Sequence, residues 1–261
     1  MATQQTPNPI AVAWSVLRAM RRRKPQPGGT GTVDHERFSP ILDELKGSGV
    51  PALEALREDM TSYRKQLEQV DPDTLSPDEA LAYWLNLYNL GALELAADAA
   101  DQAEETVLRV PGGFSRPWAT VAGEELSLEE IEHAKIRRFG DPRIHGALVC
   151  GSASCPTLRY EPYRGRDVQD QLDDQMASFF RHGGLQATRT DGVVFLSRLL
   201  LWHGSDFARP GRMPTWIPTT KKKVLRSIER WLDPDVLDWL SSERPKVRFQ
   251  PYDWSLACTI R

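Results

Sequence analysis

Residues 76–100 place the strongest constraint on what this chain can fold into. Ser76-Pro-Asp-Glu79 has the form of a capping box with proline at the first helical position, so it opens a helix that runs to about Ala100. Leu81, Trp84, Leu85, Tyr88, Ala92 and Leu95 share one face, and Leu87, Leu90 and Leu93 make the other faces apolar. A helix that is apolar on most sides has to be enclosed by other elements. The core is therefore expected to form around one central helix. Asn86 and Asn89, one turn apart on it, become buried amides, and each needs partners or costs about 1–3 kcal/mol. Such amides usually tie down neighbouring backbone. The functional alternative is an amide that orients a catalytic histidine or donates to an oxyanion.

The rest of the pattern is helical runs with short, scattered strands. Helices are expected over Phe38–Leu45 and Pro51–Leu67, and a second capping box, Ser127-Leu-Glu-Glu130, opens a helix through Arg138. Arg166–His182 is amphipathic and stops at Gly183-Gly184, while Lys221–Leu232 and Pro234–Leu240 form closing helices. Hairpins are expected around Ala122-Gly123 and, over Thr188–Ser197, around the type I′ signal Asp191-Gly192. Ile144–Val149 reads as a buried strand after the Asp141-Pro142 turn, and Val247–Tyr252 as a last short strand. Without βαβ alternation, this is an α+β chain: a predominantly helical single domain with a small antiparallel sheet.

Residues 1–33 stand apart as an N-terminal basic helix and flexible linker, with the domain proper over residues 34–261. Residues 25–33 are linker-like in composition, so the N-terminal segment is expected to be dispensable for folding. Apolar residues 10–20 precede Arg21-Arg-Arg-Lys24, the reverse of a secretory signal, and the chain is read as cytoplasmic. Residues 10–24 suit weak contact with an anionic membrane surface, although packing on the domain is the stronger expectation. The net charge of −3 gives no pull toward nucleic acid.

The chemistry concentrates in Asp141-Pro-Arg-Ile-His-Gly-Ala-Leu-Val-Cys-Gly-Ser-Ala-Ser-Cys-Pro156, which holds two of the three cysteines. In a regular strand His145 and Cys150 would point to opposite faces, so Cys155, on the loop beyond, is the better partner for His145. If Cys150 reacts, His133 has to supply the base. One reading is nucleophilic catalysis: Cys155 or Cys150 as thiolate, His145 or His133 as base, Glu132 or Asn86 as orienting group, and the amides of Gly151–Ser154 as an oxyanion site. The same residues admit a metal site on His133, His145, Cys150 and Cys155, but the Cys-x4-Cys and His-x11-His spacings are not those of common zinc modules, so no metal and no cofactor is expected. Redox use is a further alternative, because Cys-x4-Cys can close a disulfide. The structural alternative makes the thiols small buried hydrophobes and the histidines satisfied core groups. Arg143 is expected to pair with an acidic residue such as Asp206, and Cys258 to be incidental.

The segment Asp141-Pro-Arg-Ile-His145 with Cys150-Gly-Ser-Ala-Ser-Cys-Pro156 resembles the signature of the DUF547 family, a domain of unknown function. Four further pieces are similar to the family's motifs, in order: Ala82-Tyr-Trp-Leu-Asn-Leu-Tyr-Asn89, Ile131-Glu-His133, Leu196-Ser-Arg-Leu-Leu-Leu-Trp-His-Gly-Ser-Asp-Phe207 and Tyr252-Asp-Trp-Ser-Leu256. Val149 stands where the family commonly has asparagine, and His203 where an aromatic such as tyrosine is usual. The resemblance implies no established reaction. The residues themselves suggest a cysteine-dependent hydrolase or acyl transferase acting on an amide, ester or thioester, with a papain-like thiol enzyme as the fold-level analogy. The rival is a non-catalytic binding or scaffold domain, membrane-peripheral through its N-terminal helix. Either would take a small-molecule or peptide ligand.

Overall fold

The computed structural model describes residues 9–212 and 217–261, with side chains from Trp14 onward; residues 1–8 of the N-terminal segment lie outside it. Helices account for 54% of the described residues and strands for 10%, an α+β domain dominated by helix. In chain order the α-helical segments are α1 (Pro9–Ala19), α2 (Ser39–Ser48), α3 (Arg57–Glu68), α4 (Pro77–Asp101), α5 (Leu128–Glu130), α6 (Ile144–Ala147), α7 (Val168–Phe179), α8 (Leu199–Trp202), α9 (Gly204–Ala208), α10 (Lys221–Ile228) and α11 (Pro234–Glu243). The strands are β1 (Ala119–Val121), β2 (Glu124–Leu126), β3 (Leu185–Thr188), β4 (Val193–Leu196) and β5 (Lys246–Phe249). No described helix is long and apolar enough to cross a membrane.

The central helix is α4, buried along nearly its whole length and packed against α3, α5 and α7. Ser76 caps it by accepting from the Glu79 amide, but the reciprocal half of the box does not form. The Glu79 carboxylate instead accepts from the amides of Val33 and Gly165, at 3.1 and 2.9 Å. At α5 both halves of the Ser127–Glu130 box are present. The two asparagines of α4 act as backbone clamps. Asn86 donates to the Tyr163 carbonyl and accepts from its amide, at 2.8 and 2.9 Å. Asn89 donates to the Ala147 carbonyl and accepts from the Val149 amide, at 3.0 and 3.1 Å.

Several expectations are corrected. Residues 144–149 are not a strand. Asp141 accepts from the Arg143 amide at 2.9 Å, Pro142 presets a helical φ, and α6 forms over Ile144–Ala147 before the chain extends at Leu148. Asp141-Pro142 was a helix start, and the strand alternation of His145 and Cys150 does not apply. Gly146 permits the turn to lie against α7, because a Cβ there would come 2.5 Å from Met176 Sδ. The β3–β4 hairpin turns through residues 189–192, a 3-10 turn followed by Gly192 at φ 60°, and not through a two-residue type I′ turn. The sheet it belongs to is mixed, since β5 pairs with β4 in parallel. The β1–β2 hairpin has the expected turn, with Ala122 and Gly123 both at positive φ.

The residues read as a linker lie against the domain. Gly29 and Gly31 donate to the carbonyls of Leu75 and Thr74, each at 3.1 Å. Arg22 pairs with Glu130, and Lys135 donates to the Arg23 carbonyl. Val16 and Ala19 are buried, while Trp14 and Leu17 are 66% and 44% exposed.

Apolar packing divides into two clusters. One surrounds α4, and the other collects the end of α7, β4, α8–α11 and Phe207. His35 is buried, with Nδ1 2.6 Å from the Tyr63 hydroxyl. Burial and the charge of Arg164 push its pKa from 6.5 to about 4, against the pull of Asp34 and Glu36.

Two predictions follow from this packing. Asn89→Ala leaves a buried carbonyl and a buried amide without partners and should destabilise the fold by about 1–3 kcal/mol, read as a lower urea midpoint at unchanged slope. The unfolded chain protonates His35 near its ordinary pKa, whereas the folded chain resists until about 4. Stability should therefore fall as pH drops through that window, and His35→Gln should flatten part of the decline in urea midpoint.

Candidate functional site

The site is assembled around one carboxylate. Asp206, on α9, has no solvent exposure. Its Oδ2 lies 2.9 Å from His145 Nε2 and accepts from Arg137 Nε and Nη2, at 3.0 and 2.7 Å. Burial pushes the pKa of Asp206 up, but the hydrogen bonds and charges of His145 and Arg137 outweigh it and hold the carboxyl below its ordinary range. Arg137, and not Arg143, is thus its partner. Arg143 pairs with Asp141 and Asp173.

Glu132 and His133 enter from a π-helical turn, Ile131–Lys135, between α5 and a 3-10 turn, Ile136–Phe139. Such turns interrupt α-helices at functional sites more often than elsewhere. The expected regular helix through Arg138 would have set the two side chains about 100° apart. The widened turn brings His133 Nδ1 to 3.4 Å from Glu132 Oε1. This is not an ion pair. Desolvation lowers the His133 pKa to about 4, more than the Glu132 carboxylate restores, so the ring is neutral. Its Nδ1 lies 3.3 Å from Arg137 Nη1, which can only donate. Tyr88 of α4 donates to Glu132 Oε2 at 3.4 Å; burial, reinforced by Glu132, raises its pKa well above the usual value and keeps it protonated.

His203, between α8 and α9, completes the cluster. Its ring stacks on His145, with centroids 4.0 Å apart and planes 20° from parallel. Desolvation, and then the charges of His145 and Arg137, lower its pKa well below the usual value. A carboxylate oxygen of Glu132 and one nitrogen each of His145 and His203 lie within 4.8 Å of one another.

The cysteines form a second centre. Cys150 and Cys155 are joined as a disulfide, with Cα atoms 6.3 Å apart. The Tyr252 hydroxyl donates to Cys155 Sγ at 3.3 Å, lies 3.4 Å from Cys150 Sγ and accepts from Ser152 Oγ at 3.0 Å. Among the described residues no histidine hydrogen-bonds either sulfur. Burial, and to a smaller extent the charge of Glu132, push the Tyr252 pKa up to about 12. Its ring packs against Trp202 and Trp254, which also stack on each other. Two of the four amides expected to serve an oxyanion are already used, since Ala153 donates to the Ser255 carbonyl and Ser154 to that of Asp253. Gly151, at φ 71°, gives the loop its left-handed turn. Cys155 and the free, half-buried Cys258 line one small cavity with Ala92, Gly151 and Arg261. Burial raises the Cys258 thiol to about 12.

Residues 72–180 match the family model described as Protein of unknown function, DUF547. No curated protein and no solved structure matches the chain. The DUF547 segment contains every catalytic candidate read from the sequence: Asn86, Glu132, His133, His145, Cys150 and Cys155. Glu132, His133 and His145 come together, whereas the cysteine pair is contacted by Tyr252. Asn86 does not join them; its amide is spent on Tyr163, and from the same helix Tyr88 takes its place. Asp206, His203 and Tyr252 lie outside the DUF547 segment. They sit in the two downstream motifs that carried the resemblance; Asp206 was also read as a partner for Arg143, but none of the three was read as part of the site. Arg137 had none, because it reads as one of two adjacent basic residues at a helix end.

Removing the carboxylate tests this architecture. Asp206→Ala strands the Arg137 guanidinium in the interior and should cost about 3–5 kcal/mol. The double variant Asp206→Leu/Arg137→Met should recover much of that in guanidinium unfolding.

Proposed function

We propose that this protein is a hydrolase or acyl transferase acting on an amide, ester or thioester, with His145 as its acid–base group and a reduced cysteine of the 150/155 pair as its nucleophile. The observation that carries the proposal is the buried contact of His145 Nε2 with Asp206. A carboxylate on one imidazole nitrogen holds the proton there and leaves the lone pair on the other, Nδ1. Arg137 fixes the carboxylate in turn, so the ring is oriented before any substrate arrives.

In the disulfide state the pair offers no thiol, so an external dithiol has to open it by exchange, becoming a disulfide itself, before any turnover. Once reduced, a thiol gives its proton to His145 Nδ1 and the sulfur bonds to the substrate carbonyl carbon, moving the π electrons onto oxygen. Collapse expels the leaving group, which takes the proton from His145. Water, deprotonated by the same ring, then attacks the acyl–sulfur carbon, the C–S bond breaks with its electron pair going to sulfur, and the thiolate takes the proton back from His145; another acceptor in place of water makes the reaction an acyl transfer. Tyr252 stays protonated and sets an O–H 3.3 Å from Cys155 Sγ, where it can stabilise developing charge. Trp202 and Trp254 supply an apolar wall for a small-molecule or peptide substrate. The weak membrane-surface contact proposed for residues 10–24 is supported by the exposure of Trp14 and Leu17 beside Arg21 and Arg23. The rival, a non-catalytic binding domain, is favoured by the closed disulfide and by the lack of a histidine hydrogen bond to either sulfur.

Iodoacetamide labelling and hydrolysis of a panel of aryl esters and thioesters, each with and without dithiothreitol, separate the two. Labelling and turnover should both require reductant, with Cys155 modified ahead of Cys150 because it lines the cavity. His145→Ala should lower turnover by about 10²-fold or more. Reduced, folded protein that neither labels nor turns over any substrate would leave the binding reading.

A further inference from the structure

We infer that Glu132, His145 and His203 form a binding site for one divalent transition-metal ion of the zinc or ferrous class. Three groups from three separate elements present one oxygen and two nitrogens within 4.8 Å of one another. Two imidazoles and one carboxylate are a recurrent ligand set for such ions, and it leaves coordination positions open for water.

Three further observations point to an ion. Asp206 holds His145 Nε2 at 2.9 Å and so leaves Nδ1 as the nitrogen with a lone pair to offer a ligand. A carboxylate behind a histidine is the usual outer partner of a metal-bound imidazole. Next, His203 Nδ1 is buried without a hydrogen-bond partner. A nitrogen in that position is costly unless something coordinates or bonds to it. Finally, the Tyr88 hydroxyl holds Glu132 Oε2 at 3.4 Å, which restricts the carboxylate. These residues differ from the two-histidine, two-cysteine set that the sequence spacing argued against, and they include no sulfur.

Zinc–nitrogen bonds of about 2.0–2.1 Å place neighbouring ligands roughly 3.4 Å apart, so binding draws the three groups inward. The two rings must also splay from their present stacking to aim both lone pairs at one point. The inference does not rest on acyl chemistry. An ion takes the His145 Nδ1 that the proposed reaction uses for proton transfer, so the loaded site and the thiol-dependent site are alternatives.

The test uses the full chain, purified without chelators for elemental analysis, then stripped and titrated with Co2+ alone. Wild type should take up about one ion per chain, with visible ligand-field bands, no thiolate charge-transfer band and a raised melting temperature. Glu132→Gln and His203→Ala should each weaken uptake at least about tenfold, and Asp206→Asn by roughly 10–100-fold as an outer partner. A Cys150→Ser/Cys155→Ser variant should bind like wild type. If His203→Ala fails to fold, Glu132→Gln, which preserves size, decides. The inference is overturned if stripped wild type takes up no Co2+ at millimolar concentration. It is equally overturned by uptake that persists in folded Glu132→Gln, or that vanishes in the cysteine variant. Because binding is read without substrate, its failure is distinct from failure to hydrolyse.

Discussion

The fully buried carboxylate of Asp206 is the contact around which the two halves of the domain meet. It sits on α9, among elements that pack with the second apolar cluster, and it holds His145 and Arg137, which belong to segments packed on the first. A negative charge without solvent is tolerated only with strong compensation. Here one guanidinium donates twice and an imidazole once. The geometry that neutralises the charge also orients the histidine. Interior stability and preparation of the candidate site are therefore one requirement on the same atoms.

Helix α4 provides the frame on which that contact is registered. Asn89 grips the backbone where α6 gives way to the extended chain leading to Cys150. Asn86 does the same for the segment that precedes α7. Each amide satisfies its own buried donor and acceptor by meeting one carbonyl and one amide, so it removes two costs at once. Tyr88, from the same helix, reaches the site itself. The helix thus serves the chemistry mainly by fixing positions, and the polar residues it buries are explained by packing.

The disulfide and the Glu132–His145–His203 cluster are separate centres that share Tyr252. That tyrosine hydrogen-bonds around the sulfurs, feels the charge of Glu132 and stacks with Trp202, the neighbour of His203. It comes from the C-terminal segment, whose backbone also accepts from the amides of the cysteine loop.

What the sequence determined by itself was local or periodic. The enclosed helix follows from apolar residues on all of its faces, the start of α5 from its capping box, and the β1–β2 turn from Ala122-Gly123. The candidate residues Glu132, His133, His145, Cys150 and Cys155 were legible as reactive types gathered in two short segments. Misreadings arose where two local rules competed: Asp141-Pro142 starts a helix as readily as it ends one, and a short apolar run has no period long enough to arbitrate. The π turn at Ile131–Lys135 was invisible, because nothing in a pattern of residue types marks one extra residue per turn. Only the tertiary structure chose the partners. Asp206 lies 61 residues from His145 in sequence, and no rule of spacing connects them. Their pairing is decided by burial, since a carboxylate sealed in the interior must take whatever donors the fold brings to it.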